Sequence, residues 1–464
     1  MTASAGAISG HLQPLTWSNI DWDKVQLEVK RLQMRIAKAF KLGKFNKAKV
    51  LQRLLTRSRS AKLLAIKRVT ENKGKVTPGI DRVVWKTAAE KVEAADSLMR
   101  RGYKPLPLRR IYIPKKNGEK RPLGIPTMSD RAHQAIHLAA LEPISEQVAD
   151  QDSYGFRPHR SCADALGQIF KCLATRNSPQ WILDGDIKSC FDKIDHNWLL
   201  KNVPMETNIL RKWLKSGFMD KGVFHPTLEG TPQGGIISPT LLNVTLSGLQ
   251  NAIAKLTRRG DKINLIVYAD DFVVTGSSKE VLTEKVLPII VEFLKTRGLT
   301  LSQEKTKITQ VQAGFDFLGC NVRKYGNKLL IKPSKTSVTS FCRNIRTEIK
   351  CMPTRKTEDF IRILNPKLRG WSNYYRHFVS KAIYSKVDSE VFKAIWKWCK
   401  RRHANKSPTW IKEKYFRSRG MKNWQFSARM QDFKGKLTDL DLHNLSDTKI
   451  QRHVKIKKAA HPYD

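Results

Sequence analysis

Hydrophobic residues after Trp17 recur at helical spacing. Val25, Val29, Leu32, Ile36 and Phe40 stand at i, i+4, i+7, i+11 and i+15, one apolar stripe on an otherwise basic segment. A second helical run sets Leu51, Leu54, Leu55, Leu63 and Ile66 between Arg53, Arg57, Arg59, Lys62, Lys67 and Arg68. From Pro105 the pattern changes. Arg110, Ile111, Tyr112 and Ile113 read as a strand, and Lys116-Asn117-Gly118-Glu119 predicts a hairpin turn. The middle third mixes helical and strand-like segments, which predicts an α+β domain. Within it, Leu242, Leu246, Leu249, Ile253 and Leu256 predict a helix that Ser238-Pro239 starts, as N-cap and first helical residue. After about Phe341 the pattern is helical again and rich in Trp, Tyr, Lys and Arg.

The 464 residues are 40% hydrophobic and 27% charged, an ordinary globular composition with length for two to four domains. The charge balance is what departs from the ordinary: 86 Lys and Arg against 41 Asp and Glu leave a net +45. Such an excess repels itself in a compact chain unless a polyanion offsets it, so a long nucleic acid is the expected partner, ahead of an anionic membrane surface. Arg53, Arg57, Lys62 and Lys67 accordingly read as a nucleic-acid-facing surface, the alternative being the solvated face of a small helical domain. The longest uncharged stretch, Gly230 to Ala254, holds Gln233, Ser238, Asn243 and Gln250 and is too polar for a bilayer core, so no membrane span is expected. The first twenty residues lack the Lys or Arg and the apolar run of a secretory leader. Seven scattered cysteines never form a CxxC pair, which argues against both a disulfide framework and a structural zinc site. The expectation is a reduced, cytoplasmic protein.

Two segments carry candidate chemistry. In Trp181-Ile182-Leu183-Asp184-Gly185-Asp186 an apolar strand runs into acidic residues, followed by Ile187-Lys188-Ser189-Cys190-Phe191-Asp192. In Ile263 to Val274 two β runs flank Asp270-Asp271, which predicts a hairpin with the acids at its tip and the strands buried. Carboxylates gathered at one sheet end repel each other, and burying them is unfavourable unless a cation compensates. Mg²⁺ takes hard oxygen ligands and keeps water and substrate phosphates in its shell, and a pair of such ions serves phosphoryl transfer. Either segment alone would also fit a solvated acidic loop.

Together the segments resemble a known family. Tyr268-Ala269-Asp270-Asp271 resembles the YxDD box of reverse transcriptases, and Asp186 to Asp192 resembles their first catalytic aspartate motif. More closely, the chain resembles group II intron-encoded reverse transcriptase/maturases. The supporting segments are Thr77-Pro78-Gly79-Ile80-Asp81, Lys120-Arg121-Pro122-Leu123-Gly124-Ile125-Pro126, Ser153-Tyr154-Gly155-Phe156-Arg157-Pro158, Gly230-Thr231-Pro232-Gln233-Gly234-Gly235, Phe317-Leu318-Gly319 and Leu368-Arg369-Gly370-Trp371-Ser372-Asn373-Tyr374-Tyr375. The resemblance implies a right-hand polymerase: an N-terminal helical extension (1–95), fingers and palm with an antiparallel sheet (96–325), a helical thumb or maturase domain (326–435), and a basic tail (436–464) where a DNA-binding region would begin. Family members of this kind often continue into a Cys/His-containing endonuclease domain, whose Cys-pair signature does not occur in these residues.

The activity the resemblance implies is RNA-directed DNA synthesis, together with binding of intron RNA for splicing and for retrohoming by target-primed reverse transcription. Asp186, Asp270 and Asp271 would be catalytic and, with Ile187, hold two Mg²⁺ ions. Lys115 and Arg121 beside the hairpin tip, Gln233-Gly234 before a helix start, and Lys305 would bind the incoming nucleotide, Lys305 being preferred to Lys307. Phe191 would exclude the ribose 2′-hydroxyl, its alternative being a core phenylalanine. In Trp396-Lys397-Trp398-Cys399-Lys400-Arg401-Arg402, the cations Lys400, Arg401 and Arg402 read as RNA phosphate contacts and the tryptophans chiefly as core. Partners would be intron RNA, target DNA, a template-primer and dNTPs. Two other readings stay open: a splicing-only maturase with an unused polymerase site, and a reverse transcriptase domesticated for host defence or repair.

Overall fold

The structure is a computed structural model that describes residues 16–114, 118–431, 437–458 and 460–463. In chain order it runs α1 (Trp22–Lys41), α2 (Phe45–Arg57), α3 (Arg59–Glu71), α4 (Ala88–Ser97), β1 (Leu108–Pro114), β2 (Lys120–Ile125), α5 (Met128–Val148), α6 (Cys162–Leu173) and β3 (Trp181–Asp186). Then come α7 (Cys190–Lys193), α8 (His196–Asn202), α9 (Thr207–Leu214), β4 (Phe218–Asp220), β5 (Val223–His225), α10 (Ser238–Leu246), α11 (Leu249–Leu256), β6 (Asn264–Tyr268), β7 (Asp271–Gly276), α12 (Leu287–Lys295) and β8 (Lys307–Gln310). The remainder is β9 (Phe315–Phe317), β10 (Cys320–Tyr325), β11 (Lys328–Pro333), α13 (Lys335–Lys350), α14 (Thr357–Tyr375), α15 (Lys381–Arg402), α16 (Pro408–Tyr415), β12 (Phe416–Arg419), β13 (Lys422–Gln431) and β14 (Leu437–Asp441).

The predicted N-terminal stripe forms α1, with Val25, Val29 and Ile36 buried. The second basic run is two helices, because Ser58 turns extended and its hydroxyl accepts the Ala61 N–H, capping α3. These helices pack on α5 around Ile36, Leu55, Ile66, Met128 and Ile144. The predicted hairpin is β1 against β2, with Pro114 opposite Lys120. The strand order β2-β1-β4-β5 completes a small fingers sheet.

The palm is a second four-stranded sheet, β6-β7-β3-β8, antiparallel throughout. Its strands are apolar on both faces because both faces are covered. Ile182, Ile266 and Val273 join a core with Leu166, Ile169 and the thumb residues Phe360 and Leu364. Leu183, Leu265, Phe272 and Val274 face the opposite way, into a core with Leu241 of α10 and Ile290 of α12. The period-two alternation of a strand thus distributes one apolar run between two cores.

Four expectations meet a different structure. The helix predicted through Leu256 breaks after Leu246: Ser247 is extended, and the Asp150 carboxylate accepts the Gly248 and Gln250 N–H groups (both 3.0 Å), starting α11 anew. Ser238 is a helical residue whose hydroxyl donates to Pro232 O (2.9 Å), so it does not cap. The thumb is helical in α13–α16, and it also carries the sheet β12-β13-β14, whose Phe416 and Phe426 close the core formed by Phe360, Tyr384 and Ile395. The stretch read as a basic tail is built into the molecule: β14 pairs with β13, and Leu445 is buried in the same core. No helix among the described residues is long and apolar enough to cross a membrane.

Helix α5 is buried along most of its length and carries two imidazoles inward, His133 stacked on Tyr103 and His137 edge-on to Trp213. Burial above all holds their pKa values down, to about 4 for His133 and about 3 for His137, with Lys62 adding to the first and His133 and Arg100 to the second. Unfolding restores them to 6.5. Their contribution to stability is therefore complete above pH 6.5 and is lost as pH falls toward the folded values. The midpoint of urea unfolding should drop between pH 7 and pH 5, and His137→Leu should make that drop shallower; equal slopes in the two proteins would contradict this account.

Candidate active site

Each acid is placed by the palm sheet. Asp186 ends β3 directly opposite Asp271, the first residue of β7. Tyr268 pairs with Asp271 to close the β6–β7 hairpin, which leaves Ala269 and Asp270 in a two-residue turn, with Ala269 at φ +59°. Three carboxylates therefore share one end of one sheet. Asp184, two residues back on β3, projects from the same face as Asp186.

The electrostatics follow from that geometry. Asp271 is pushed up to about 6 by burial, then by Asp270 and Asp186. Asp270 is raised chiefly by burial, with Asp186 adding to the rise while Arg121 and Lys305 oppose it. Asp184 is pushed up to about 7 by burial and then by Asp271 and Asp186. Burial and the neighbouring carboxylates raise the proton affinity of these acids, and Lys305 opposes the rise at Asp270 and Asp271, with its Nζ 2.7 Å from Asp186 Oδ2. That ammonium stands where a cation is needed, and the acids present fit hard divalent ions. Lys188 N–H donates to Thr300 O and Ser302 N–H to Asp186 O (both 2.9 Å), so Ile187 and Leu301 form a non-hydrogen-bonded antiparallel pair. The Ile187 carbonyl consequently turns away from Leu301. Among the described residues, no three His, Cys, Asp or Glu side chains form a group that could hold an ion by themselves.

The surrounding residues arrive from several elements. Arg121 on β2 lies opposite Ile113 and acts on both Asp270 and Asp192. Lys115 lies outside the described residues. Gln233 anchors the loop before α10: its side chain donates to Asp192 Oδ2 and its carbonyl accepts the Gly124 N–H (both 2.8 Å). Gly234 has φ +120°, and a Cβ there would lie 2.6 Å from Gly124 O, so only glycine lets this loop meet β2. Phe191 sits on α7, half-buried against the palm core, its ring edge-on to Phe156 at 6.3 Å. Its carbonyl accepts the Thr231 N–H.

The turn itself rests on residues 152–155. Val267 N–H donates to Asp152 O, and Tyr154 N–H donates to Val267 O (both 2.9 Å), adding a short ribbon to the free edge of β6. Gly155 then passes so close that a Cβ would lie 2.2 Å from Ala269 N. Arg157 locks the segment through a buried bidentate pair with Glu146, both contacts at 2.9 Å.

The predicted RNA contacts are dispersed. Arg53 and Arg57 are exposed on α2, and Lys67 Nζ lies 4.2 Å over the Trp22 ring. Lys62 and Arg57 line a cleft of about 730 Å³ with Arg100, Arg101, Arg211 and Lys212, which none of the four aspartates lines. On α15, Lys400 and Arg401 are exposed, while Arg402 caps Arg355 O and lies over Trp398. Trp398 is buried and donates to Met352 O, as a core tryptophan does. Asp184, Asp192 and Phe156 join the site beyond the residues that the sequence motifs point to. The i, i+2 spacing of Asp184 and Asp186 on a strand is the signal for the first, and the other two lie within the 186–192 and 153–158 segments.

A fingers hairpin, an antiparallel palm with acids at its strand ends and a helical thumb define a right-hand nucleic-acid polymerase. Residues 113–322 match the family model for reverse transcriptase (RNA-dependent DNA polymerase), 17–98 that for the N-terminal domain of reverse transcriptase, and 338–416 that for the group II intron maturase-specific domain. Protein YkfC of Escherichia coli (strain K12) is 36% identical over 318 residues, 58% of this chain and 82% of that protein. Group II intron-encoded protein LtrA of Lactococcus lactis subsp. cremoris is 39% identical over 209 residues, 43% of this chain and 34% of LtrA. Maturase-like protein 1 of Euglena gracilis is 25% identical over 396 residues, 81% of this chain and 83% of that protein. The chain belongs to the group II intron reverse transcriptase/maturase family. The match to LtrA spans about a third of that protein's length.

Gly155→Ala should force the Ala269-Asp270 turn to move, because the clash is with backbone on both sides. A loss of about 1–3 kcal/mol in urea unfolding is expected; unchanged stability would mean that the segment yields without disturbing the turn.

Proposed function

We propose that the chain is an RNA-directed DNA polymerase that also binds a group II intron RNA and assists its splicing and mobility. The observation that carries the polymerase reading is the convergence of Asp186, Asp270 and Asp271 on one sheet end, where burial and neighbouring carboxylates raise the proton affinity of Asp270 and Asp271. In this reading Asp186, Asp270, Asp271 and the Ile187 carbonyl hold two Mg²⁺ ions. Those ions, when bound, supply activation of the primer 3′-hydroxyl and charge neutralisation at the leaving pyrophosphate.

The chain's own groups do the rest. Arg121 on β2 and Lys305 beside Asp186 bind the triphosphate, and Lys305 Nζ holds a proton next to the leaving group. Lys115, preceding the fingers turn, joins them. The loop at Gln233-Gly234 packs on β2 and lines the floor on which nucleotide and template lie. Phe191, braced by Phe156, fills the space that a ribose 2′-hydroxyl would need. Arg53, Arg57, Lys62, Lys67, Lys400, Arg401 and Arg402 bind intron RNA through its phosphates, Lys67, Lys400 and Arg402 less freely because each lies over a tryptophan. The family and the net charge of +45 support the RNA half of this function.

Asp270→Ala should reduce Mg²⁺-dependent DNA synthesis on an RNA template by about 10³-fold or more. RNA affinity should hardly change, since one acid among 86 cations contributes little to the electrostatic grip. Primer extension by this variant at the wild-type rate would overturn the assignment of Asp270 to the catalytic set. Phe191→Ala should raise the ribonucleotide share of incorporated product by about tenfold or more. An unchanged preference for dNTPs would make Phe191 a core residue.

A further inference from the structure

Residues 449–458 cross from the thumb to the palm, and their contacts converge on the segment that supports the catalytic turn. At the thumb, Gln451 N–H donates to Arg376 O, and His377 Nδ1 meets Gln451 O (both 2.9 Å). On α6, the His453 ring and the Ile456 N–H both reach Asp164 Oδ1, at 2.9 and 3.0 Å. Lys455 Nζ then donates to Gln168 Oε1 (2.8 Å) and to the Tyr154 hydroxyl (3.3 Å). Lys458 Nζ donates to Asp152 Oδ2 at 2.5 Å. Beyond it the Tyr463 hydroxyl donates to the Glu142 carboxylate on α5.

Asp152 is the decisive residue. Its side chain is 4% exposed, whereas that of Lys458 is 39% exposed, so the lysine reaches in from the surface to neutralise a buried acid. A buried carboxylate stripped of its cation is strongly destabilised where it stands, and its backbone moves or admits water in response. The Tyr154 hydroxyl donates to the other Asp152 oxygen at 3.0 Å, so both strap lysines serve one small network. The backbone of the same two residues brackets Val267 on β6, and Gly155 next to them touches the Ala269-Asp270 turn.

We infer that residues 449–458 are a strap that positions the catalytic turn, with Lys455 and Lys458 as positioning residues acting through Tyr154 and Asp152. This rests on the reading of that turn as a polymerase site. Neither lysine touches the acids. Each acts by fixing the ribbon on the free edge of β6, two residues before Ala269, and the strap joins this ribbon to the thumb through Gln451.

The test uses the full chain carrying Lys455→Ala and Lys458→Ala together. Amide hydrogen exchange in peptides covering 152–156 and 264–271 should quicken by about tenfold, with α13 to α15 unchanged. In single-nucleotide extension, kcat should fall by about 10- to 10²-fold while KM for dNTP and RNA affinity stay within about twofold, because displacement of a catalytic group impairs the chemistry more than the binding. Lys458→Arg should restore both readouts. If the double variant does not fold, Lys458→Met, which keeps the apolar stem and drops the charge, is read in the same way. Unchanged exchange at 264–271 overturns the inference, and so does faster exchange throughout the molecule, which would make the strap a general structural support. Failure of the wild-type chain to extend any primer would remove the polymerase reading, while the exchange data would still decide whether the strap holds the turn.

Discussion

Mutual repulsion among Asp184, Asp186, Asp270 and Asp271 is the constraint around which this molecule is arranged. Burial and proximity raise the proton affinity of Asp184, Asp270 and Asp271, so the sheet end is at ease only when positive charge comes to it. Lys305 does so directly and Arg121 at a distance. Holding such a cluster together requires strands that cannot slip. The palm supplies them by packing both faces of β3, β6 and β7 in apolar cores and by closing the hairpin with a two-residue turn. Structural demand and chemical use coincide here: what strains the folded chain is what would draw divalent cations and a triphosphate to it.

Features written in adjacent residues were legible from the sequence. The stripe of α1, the β1–β2 hairpin and the strand-acid-acid-strand pattern around Asp270 each depend on neighbours a few positions apart, and each stands where periodicity put it. Features set by distant partners were not. The break between α10 and α11 depends on Asp150, 98 residues before Gly248. The thumb sheet depends on β13 finding β14, in a region whose Trp and Lys content reads as helix. The grip of Lys458 on Asp152 spans 306 positions, and nothing near either residue announces it. Asp184 is an intermediate case: alternation along a strand places it on the face of Asp186, but it lies outside the 186–192 motif.

The loop of residues 230–235 illustrates how motifs from separate segments become one surface. Gly124 of β2, Gln233 and Asp192 meet through two hydrogen bonds, joining the fingers hairpin, the approach to α10 and the residues after β3. Three sequence motifs that look independent are therefore one contact. The close approach at Gly234 is possible because Gly234 carries no side chain, whose Cβ would lie 2.6 Å from Gly124 O.

Ile182 and Leu183 are neighbours on β3 yet belong to different cores, one shared with thumb helix α14 and the other with α10 and α12. The strand is therefore mounted like an axle in two bearings. A shift of the thumb presses on only one of them, and the other keeps the acidic end of β3 where it is. The same mounting makes the strand an intolerant place for drift in side-chain volume, because a larger residue at either position must be accommodated by a different half of the molecule. Fidelity of position at Asp186 is in this sense a property of the two residues that precede Asp184, neither of which comes near the chemistry.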